Sequence, residues 1–138
     1  MGKFKELDIT MGYRSDIIIV VSKKVYMEAF LLGTFPESLK ENWVEKSKDN
    51  NAFYFRVEGY KWYDDYPEVR EVMDFLGNLE PATITYTGHD GKQSTYEQDQ
   101  YGFIRIGEED YDVEILGDPS HFEVYVERTI SSPNTTAI

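Results

Sequence analysis

The 138-residue sequence contains no cysteine, which removes disulfides, thiol nucleophiles and zinc–thiolate centres from consideration. Histidine is nearly as scarce: His89 and His121 are the whole supply. No apolar run approaches the roughly 20 residues that cross a bilayer. Residues 1–8 also lack the apolar core of a secretory leader, so a cytoplasmic location is expected. Basic residues thin out along the chain. Through Val57, nine Lys and Arg stand against eight Asp and Glu; from Glu58 onward, five stand against eighteen. The resulting net charge of −12 repels nucleic acid and anionic lipid alike, so neither is expected as a direct partner. It favours a basic protein partner or, more simply, solubility.

What the chain does have is aromatic residues: eleven tyrosines, eight of them at or after Tyr60 in the acidic part. Its length suits a single domain over residues 1–138. Residues 3–13 alternate loosely through Phe4, Leu7, Ile9 and Met11, as an edge strand would, within an N-terminal extension (residues 1–15). The β-branched run from Asp16 to Val21 predicts a strand buried on both faces. Ser22 can cap a helix in which Val25, Tyr26, Met27, Ala29, Phe30, Leu31 and Leu32 are apolar nearly all round. That helix should therefore be well covered, and Gly33 should end it. Thr34 to Glu37 reads as a capping box opening a second helix, with Leu39, Trp43 and Val44 facing inward and the end dissolving over residues 46–51.

Phe53, Phe55 and Val57 alternate with polar neighbours in a strand ending near Gly59. Val69, Val72, Met73, Leu76 and Leu79 recur at helical spacing after a start at residues 65–68, and residues 78–81 close that helix. Thr83–Gly88 and Lys92–Glu97 flank an Asp90-Gly91 turn, predicting a hairpin that projects from the body. Tyr101–Gly107 reads as a strand. So does Phe122–Glu127, where Phe122, Val124 and Val126 alternate with Glu123, Tyr125 and Glu127. Residues 131–138 look like a loose tail. The expected class is α+β: a mainly antiparallel sheet, about three helices on one face, and a projecting hairpin.

No reaction is declared by these residues. His89 at a hairpin tip and His121 after a proline have no visible partner of the kind hydrolytic triads need. The stretch from Gly88 to Ser94 resembles a phosphate loop only faintly, since its glycines are too close and Asp90 would repel the anion. Asp110, Asp112 and Glu114 alternate, and on a strand they would share a face at roughly 6.6 Å intervals, a geometry that could attract a hard cation. The glycine and the distal acid of a calcium loop are missing, however. No catalytic residue, metal or cofactor is therefore expected.

The remaining constellation is a surface one. Trp62, Asp64 and Asp65 mix aromatic and acidic character, and Glu108, Glu109, Asp110, Tyr111, Asp112 and Glu114 repeat the mixture. Tyrosine and tryptophan anchor interfaces at low entropic cost, and closely spaced carboxylates imitate a phosphate backbone. The competing reading places Trp62 and half the tyrosines in the core, with the acids as a solvated rim.

Lys61-Trp-Tyr-Asp-Asp-Tyr-Pro-Glu-Val69, Met73-Asp-Phe-Leu76, Tyr101-Gly-Phe-Ile-Arg-Ile-Gly-Glu108 and Val126-Glu-Arg-Thr-Ile130 together resemble small acidic accessory proteins of tailed bacteriophages. Asp16-Ile-Ile-Ile-Val-Val-Ser22 resembles the opening strand and helix cap of that group. The likeness covers most of residues 16–130, and residues 81–100 look like an inserted hairpin beyond the usual pattern. The group carries no assigned activity. The resemblance implies a phage accessory protein working in the host bacterial cytoplasm; taken with the acidic-aromatic surface, that context makes a nucleic-acid-handling defence complex, in the manner of anti-restriction or anti-CRISPR proteins, the expected target. Its partner would be a basic host protein, contacted by Asp64, Asp65, Glu108, Glu109, Asp110, Asp112 and Glu114 around Trp62 and Tyr111. The alternative is a phage component that self-associates through strand edges, as a small homo-oligomer rather than a monomer.

Overall fold

The computed structural model describes residues 12–42, 44–48, 52–128 and 135–137. The edge strand expected from Phe4, Leu7, Ile9 and Met11 lies outside the described residues, as does Trp43. The elements are β1 (Ser15–Ser22), α1 (Lys23–Leu32), α2 (Glu37–Asn42), β2 (Val44–Lys48), β3 (Ala52–Tyr60) and α3 (Pro67–Gly77). They continue with β4 (Ala82–Thr87), β5 (Gln93–Gln98), β6 (Tyr101–Ile106), β7 (Val113–Gly117), β8 (Val126–Arg128) and β9 (Thr135–Ala137).

The fold is α+β. Five strands form one sheet in the order β2-β3-β1-β6-β7, with every neighbouring pair antiparallel. The β-branched run sits at its centre. Ile17, Ile19 and Val21 face a layer made with Val25, Ala29, Phe35, Leu39, Val69, Val72 and Leu76, so the helices do lie on one face. Ile18 and Val20 face the other way, joining Tyr54, Ile104, Ile106 and Val124.

That second face departs from expectation. Residues 122–127 are not one strand. Pro119–Phe122 form a 3₁₀ turn, and Glu123 follows in the left-handed region at φ 62°, a conformation that costs a side-chain-bearing residue about 1–2 kcal/mol. The alternation survives as burial: Val124 is sealed while Glu123 and Tyr125 are exposed. The segment is thus a lid on the sheet rather than a member of it. It is held by the Tyr54 hydroxyl donating to the Phe122 carbonyl at 2.8 Å and by the close approach of Pro119 to Gly102. Part of the tail expected to be loose, Thr135–Ala137, pairs with Val126–Arg128.

Two further strands escaped the sequence reading. Val44–Lys48 pairs with β3, although its polar composition reads as the frayed end of a helix. Val113–Gly117 pairs with β6, although Glu114 and the acids just before it conceal its alternation.

Helix α1 is capped as expected: the Ser22 hydroxyl accepts from the Val25 amide at 3.2 Å, and Gly33 closes it at φ 70°. Its cover is not as expected. Val25 and Ala29 are buried and Tyr26 stacks on Phe53 with ring centroids 4.0 Å apart, but Met27, Phe30, Leu31 and Leu32 are exposed. A single short helix offers one side to the sheet, and although Lys40 of α2 reaches over the Phe30 ring, 4.8 Å from its centroid, Leu31 and Leu32 stay largely in solvent. Leaving a leucine in water forgoes about 1.5–3 kcal/mol.

The β4–β5 hairpin forms a separate two-stranded sheet and is largely exposed along both strands, consistent with an arm. Among the described residues, no helix is long and apolar enough to cross a membrane.

Gly102 provides a direct test of the lid. A Cβ there would come within 2.5 Å of Pro119 Cα, so Gly102→Ala should destabilise the fold by about 2–3 kcal/mol. Urea unfolding followed by far-UV circular dichroism measures this. A loss below about 0.5 kcal/mol would mean that the lid tolerates displacement.

Candidate partner-binding surface at one end of the sheet

Strand register decides which acids can act together. Ser15 is opposite Tyr60 and Asp16 is opposite Ile106. The end of β3, the start of β1 and the β6–β7 turn therefore share one end of the sheet. The loop after β3 carries Asp64 and Asp65 and the turn carries Glu108, Glu109 and Asp110, all five exposed. A cavity of about 510 Å³ opens at this end, between Arg14, Asp16, Gly59, Ile106 and Glu108.

The turn is built firmly. The Gly107 amide donates to the Asp112 carbonyl at 2.8 Å, and the Asp112 amide to the Glu109 carbonyl at 3.0 Å. A side chain at Gly107 would run into the Tyr13 hydroxyl and the Asp112 carboxylate. Tyr13 donates to Asp112 Oδ2 at 2.6 Å and accepts from the Glu109 amide at 3.2 Å. The bond to Asp112 holds the phenol above its usual pKa. The Arg14 amide donates to Glu108 Oε2 at 2.5 Å, while the Arg14 guanidinium reaches the Gly59 carbonyl at 2.9 Å. Residues read as part of an N-terminal extension thus staple the acidic turn to β3.

Besides Glu108, held by the Arg14 amide, two more of the expected contact acids are held by a guanidinium. Arg105 meets Asp112 through both nitrogens, Nη2 to Oδ1 at 2.7 Å and Nη1 to Oδ2 at 3.1 Å. Its Nε donates to Glu114 Oε1 at 3.1 Å, and Nη1 also donates to Ser15 Oγ at 3.1 Å. The hydrogen bonds to Asp112, ahead of those to Glu114, raise the guanidinium further above its already high pKa. Asp112 and Glu114 therefore support the sheet from within, and Arg105 occupies the space a cation would need. Among the described residues, no three metal-ligating side chains gather into a site.

Trp62 also differs from its expected role. It is 9 % exposed and belongs to the helix-side core, with its ring centroid 6.0 Å from that of Phe103. An indole closed in this way cannot anchor a partner. Tyr111 can: it is 84 % exposed, and the hydrogen bond to the Glu109 carboxylate raises its phenol above the usual pKa. His89 and His121 are both exposed.

Sequence reading overlooked Tyr13, Arg14 and Arg105. Arg105 left a signal, as the one base in an apolar strand that turns into an acidic segment. Tyr13 and Arg14 left none, because their contacts span more than 90 residues. No family model matches the chain, and no curated protein or solved structure is similar to it.

Removing Arg105 while keeping its bulk should reveal the strain it relieves. Arg105→Met leaves Asp112 and Glu114 facing each other in a half-buried site and should cost about 2 kcal/mol at neutral pH. Adding Asp112→Asn should recover part of that loss, as urea unfolding of both variants will show. At the β3–α3 loop, burial, and then the hydrogen bond from Tyr60 to Glu68 (2.6 Å), push the Tyr60 phenol from 10.0 up to about 12. The fold favours the protonated phenol, so this contribution is complete below pH 10 and disappears as pH rises from 10 to about 12. Unfolding midpoints measured across that window should fall, and less steeply in Tyr60→Phe.

Proposed function

We propose that this chain is a non-enzymatic accessory protein of a tailed bacteriophage. It binds a basic, nucleic-acid-handling host protein and blocks it by imitating the nucleic-acid backbone. The observation that carries the reading is the β6–β7 turn, where three consecutive exposed carboxylates precede an exposed tyrosine on a firmly hydrogen-bonded support. The contact set differs from the one expected from sequence. Glu108, Glu109, Asp110 and Tyr111 lead, with Asp64 and Asp65 on the neighbouring loop; Asp112, Glu114 and Trp62 serve the fold. Arg14 interrupts the negative surface, so a partner meets separated carboxylates rather than a uniform sheet of charge, as it does along phosphates.

Two unit charges about 4 Å apart attract by only about 1 kcal/mol in water. The acids therefore act chiefly by steering the encounter and setting orientation, while Tyr111 supplies buried area. A non-enzymatic role agrees with the exposed positions of both histidines. The defence-complex target rests on the acidic surface taken with the phage context that the resemblance of most of residues 16–130 implies.

The test is capture of binding partners from host lysate at about 50 and about 300 mM salt, with the bound protein identified by mass. A basic protein held at low salt and released at high salt is the expected outcome. The double variant Glu109→Lys/Asp110→Lys should weaken binding at least about tenfold with unchanged circular dichroism. Affinity that ignores both salt and charge reversal would refute the mimicry.

A further inference from the structure

Among the described residues, neither edge of the β4–β5 arm has a neighbouring strand. The two strands hold six consecutive pairs, from Ala82↔Gln98 to Thr87↔Gln93, with no bulge. Edge strands ordinarily carry a lysine, a proline, a bulge or an inward charge that deters a further strand. β4, Ala82-Thr-Ile-Thr-Tyr-Thr87, has none of these: it is uncharged, regular and rich in β-branched residues. A ribbon of only two strands is marginally stable in water, and further strands are what it lacks.

We infer that the outer edge of β4 pairs with β4 of a second copy, antiparallel about a two-fold axis through Thr85. The product is a four-stranded ribbon in the order β5-β4-β4-β5. Its register follows from the backbone. At the turn the Gly88 amide donates to the Lys92 carbonyl at 2.8 Å, so residues 88 and 92 form a hydrogen-bonded pair. Such pairs alternate with non-bonded ones along an antiparallel ladder. The amides and carbonyls of Ala82, Ile84 and Tyr86 therefore turn toward β5, and those of Thr83, Thr85 and Thr87 turn outward. These three residues are symmetric about Thr85. Setting Thr85 opposite itself, and Thr83 opposite Thr87 of the second copy, satisfies every outward group through about six hydrogen bonds between the copies. A shift of two residues either way leaves outward groups of β4 without a β4 partner.

The side chains agree with that register. Ile84, Tyr86 and Tyr96 share one face of the arm. Tyr86 and Tyr96 are 51 and 49 % exposed, with ring centroids 6.0 Å apart. Pairing sets Ile84 opposite Tyr86 of the second copy in the closer, non-hydrogen-bonded kind of pair, and does so twice. On the other face threonine meets threonine. Aromatic–β-branched and Thr–Thr pairs are both favourable across strands.

This self-complementarity selects a second copy as the occupant, and charge selects β4 over β5. Each chain carries −12, so copies come close only where acids are few. β4 has none. Just beyond it, Glu80 at the base of one arm meets the tip of the other, where Asp90 and Lys92 cancel. The outward residues of β5 are Gln93, Thr95 and Glu97, and the last is an acid that a neighbouring strand would partly desolvate. The arm springs from the start of β6, whereas the acidic turn follows its end, so both acidic turns stay open in the pair. Pairing along one edge buries less than the roughly 1,200 Å² of a standard interface, so the dimer dissociates on dilution.

Sedimentation equilibrium over about 1–500 µM should show this reversible dimer. Thr85→Lys and Thr85→Glu should each raise its dissociation constant at least about tenfold, because like charges then face each other across the axis. Thr85 is exposed, so both variants keep the fold, and circular dichroism verifies this. Mixing the two variants should restore association at least about tenfold over either alone, since residue 85 faces itself only in this register. The chain has no cysteine, so Thr85→Cys should give a disulfide-linked dimer on mild oxidation, with opposed Cα atoms about 5.5 Å apart. Thr95→Cys, on the other edge, should not. A monomer at every concentration would overturn the inference. So would a dimer indifferent to the Thr85 variants, or a mixture that stays monomeric. A monomeric chain that instead binds a host protein, and loses it in Thr85→Lys, would assign the edge to a foreign strand and equally overturn the dimer.

Discussion

Residues Ile17 to Val21 are at most 2 % exposed in a strand hydrogen-bonded on both sides, and both of its faces need apolar cover. On one side the three helices provide it. On the other it comes from a short segment after β7 that stays irregular because it has to bend tightly over the sheet. The demands of β1 thus explain the unequal layers. They also explain a left-handed Glu123 and a glycine at 102 beneath Pro119. Burying five β-branched side chains stabilises the fold by several times the roughly 1–2 kcal/mol of backbone strain at Glu123.

Charge follows a different logic. A surplus of carboxylates on a small domain raises self-repulsion in the folded state. Arg105 offsets this where it matters most, between two acids on the turn and on β7 that are themselves only partly solvated. The more exposed acids stand on the loops. The same end of the sheet therefore holds acids tied to Arg105 and acids turned outward, and Glu108, exposed yet bonded to the Arg14 amide, belongs to both. Their sequence neighbourhood does not separate them: Asp110 and Asp112 are two residues apart and serve different purposes.

Much of the architecture was legible where a side chain's role depends on near neighbours. The buried strand, the Ser22 cap, the Gly33 stop, the amphipathic α3 and the Asp90-Gly91 hairpin all follow from local spacing. The failures share a cause. β7 was concealed because Glu114 and the neighbouring Asp112 are neutralised by Arg105 on the adjacent strand, so a half-buried strand looked like a solvated acidic run. The 119–126 segment kept the period-2 burial of a strand without strand geometry, since a turn over a sheet can also present every second side chain inward. Trp62 could not be placed because the same aromatic-acidic motif suits either a core tryptophan flanked by a wet loop or an exposed anchor. Phe103, on a strand far away in sequence, decides between them. At α1, an apolar perimeter was taken for burial on all sides, although cover has to come from other elements, and the helices that follow lie elsewhere.

The arm made by β4 and β5 has one more implication. Ala82 and Gln98 are paired at its base, so the chain leaves the body and re-enters it at nearly the same point. Growth, shrinkage or replacement of what lies between them leaves the strand pairing of the five-stranded sheet as it is. Reach and surface chemistry on that side can therefore diversify between variants of this molecule as independent cargo on a constant chassis.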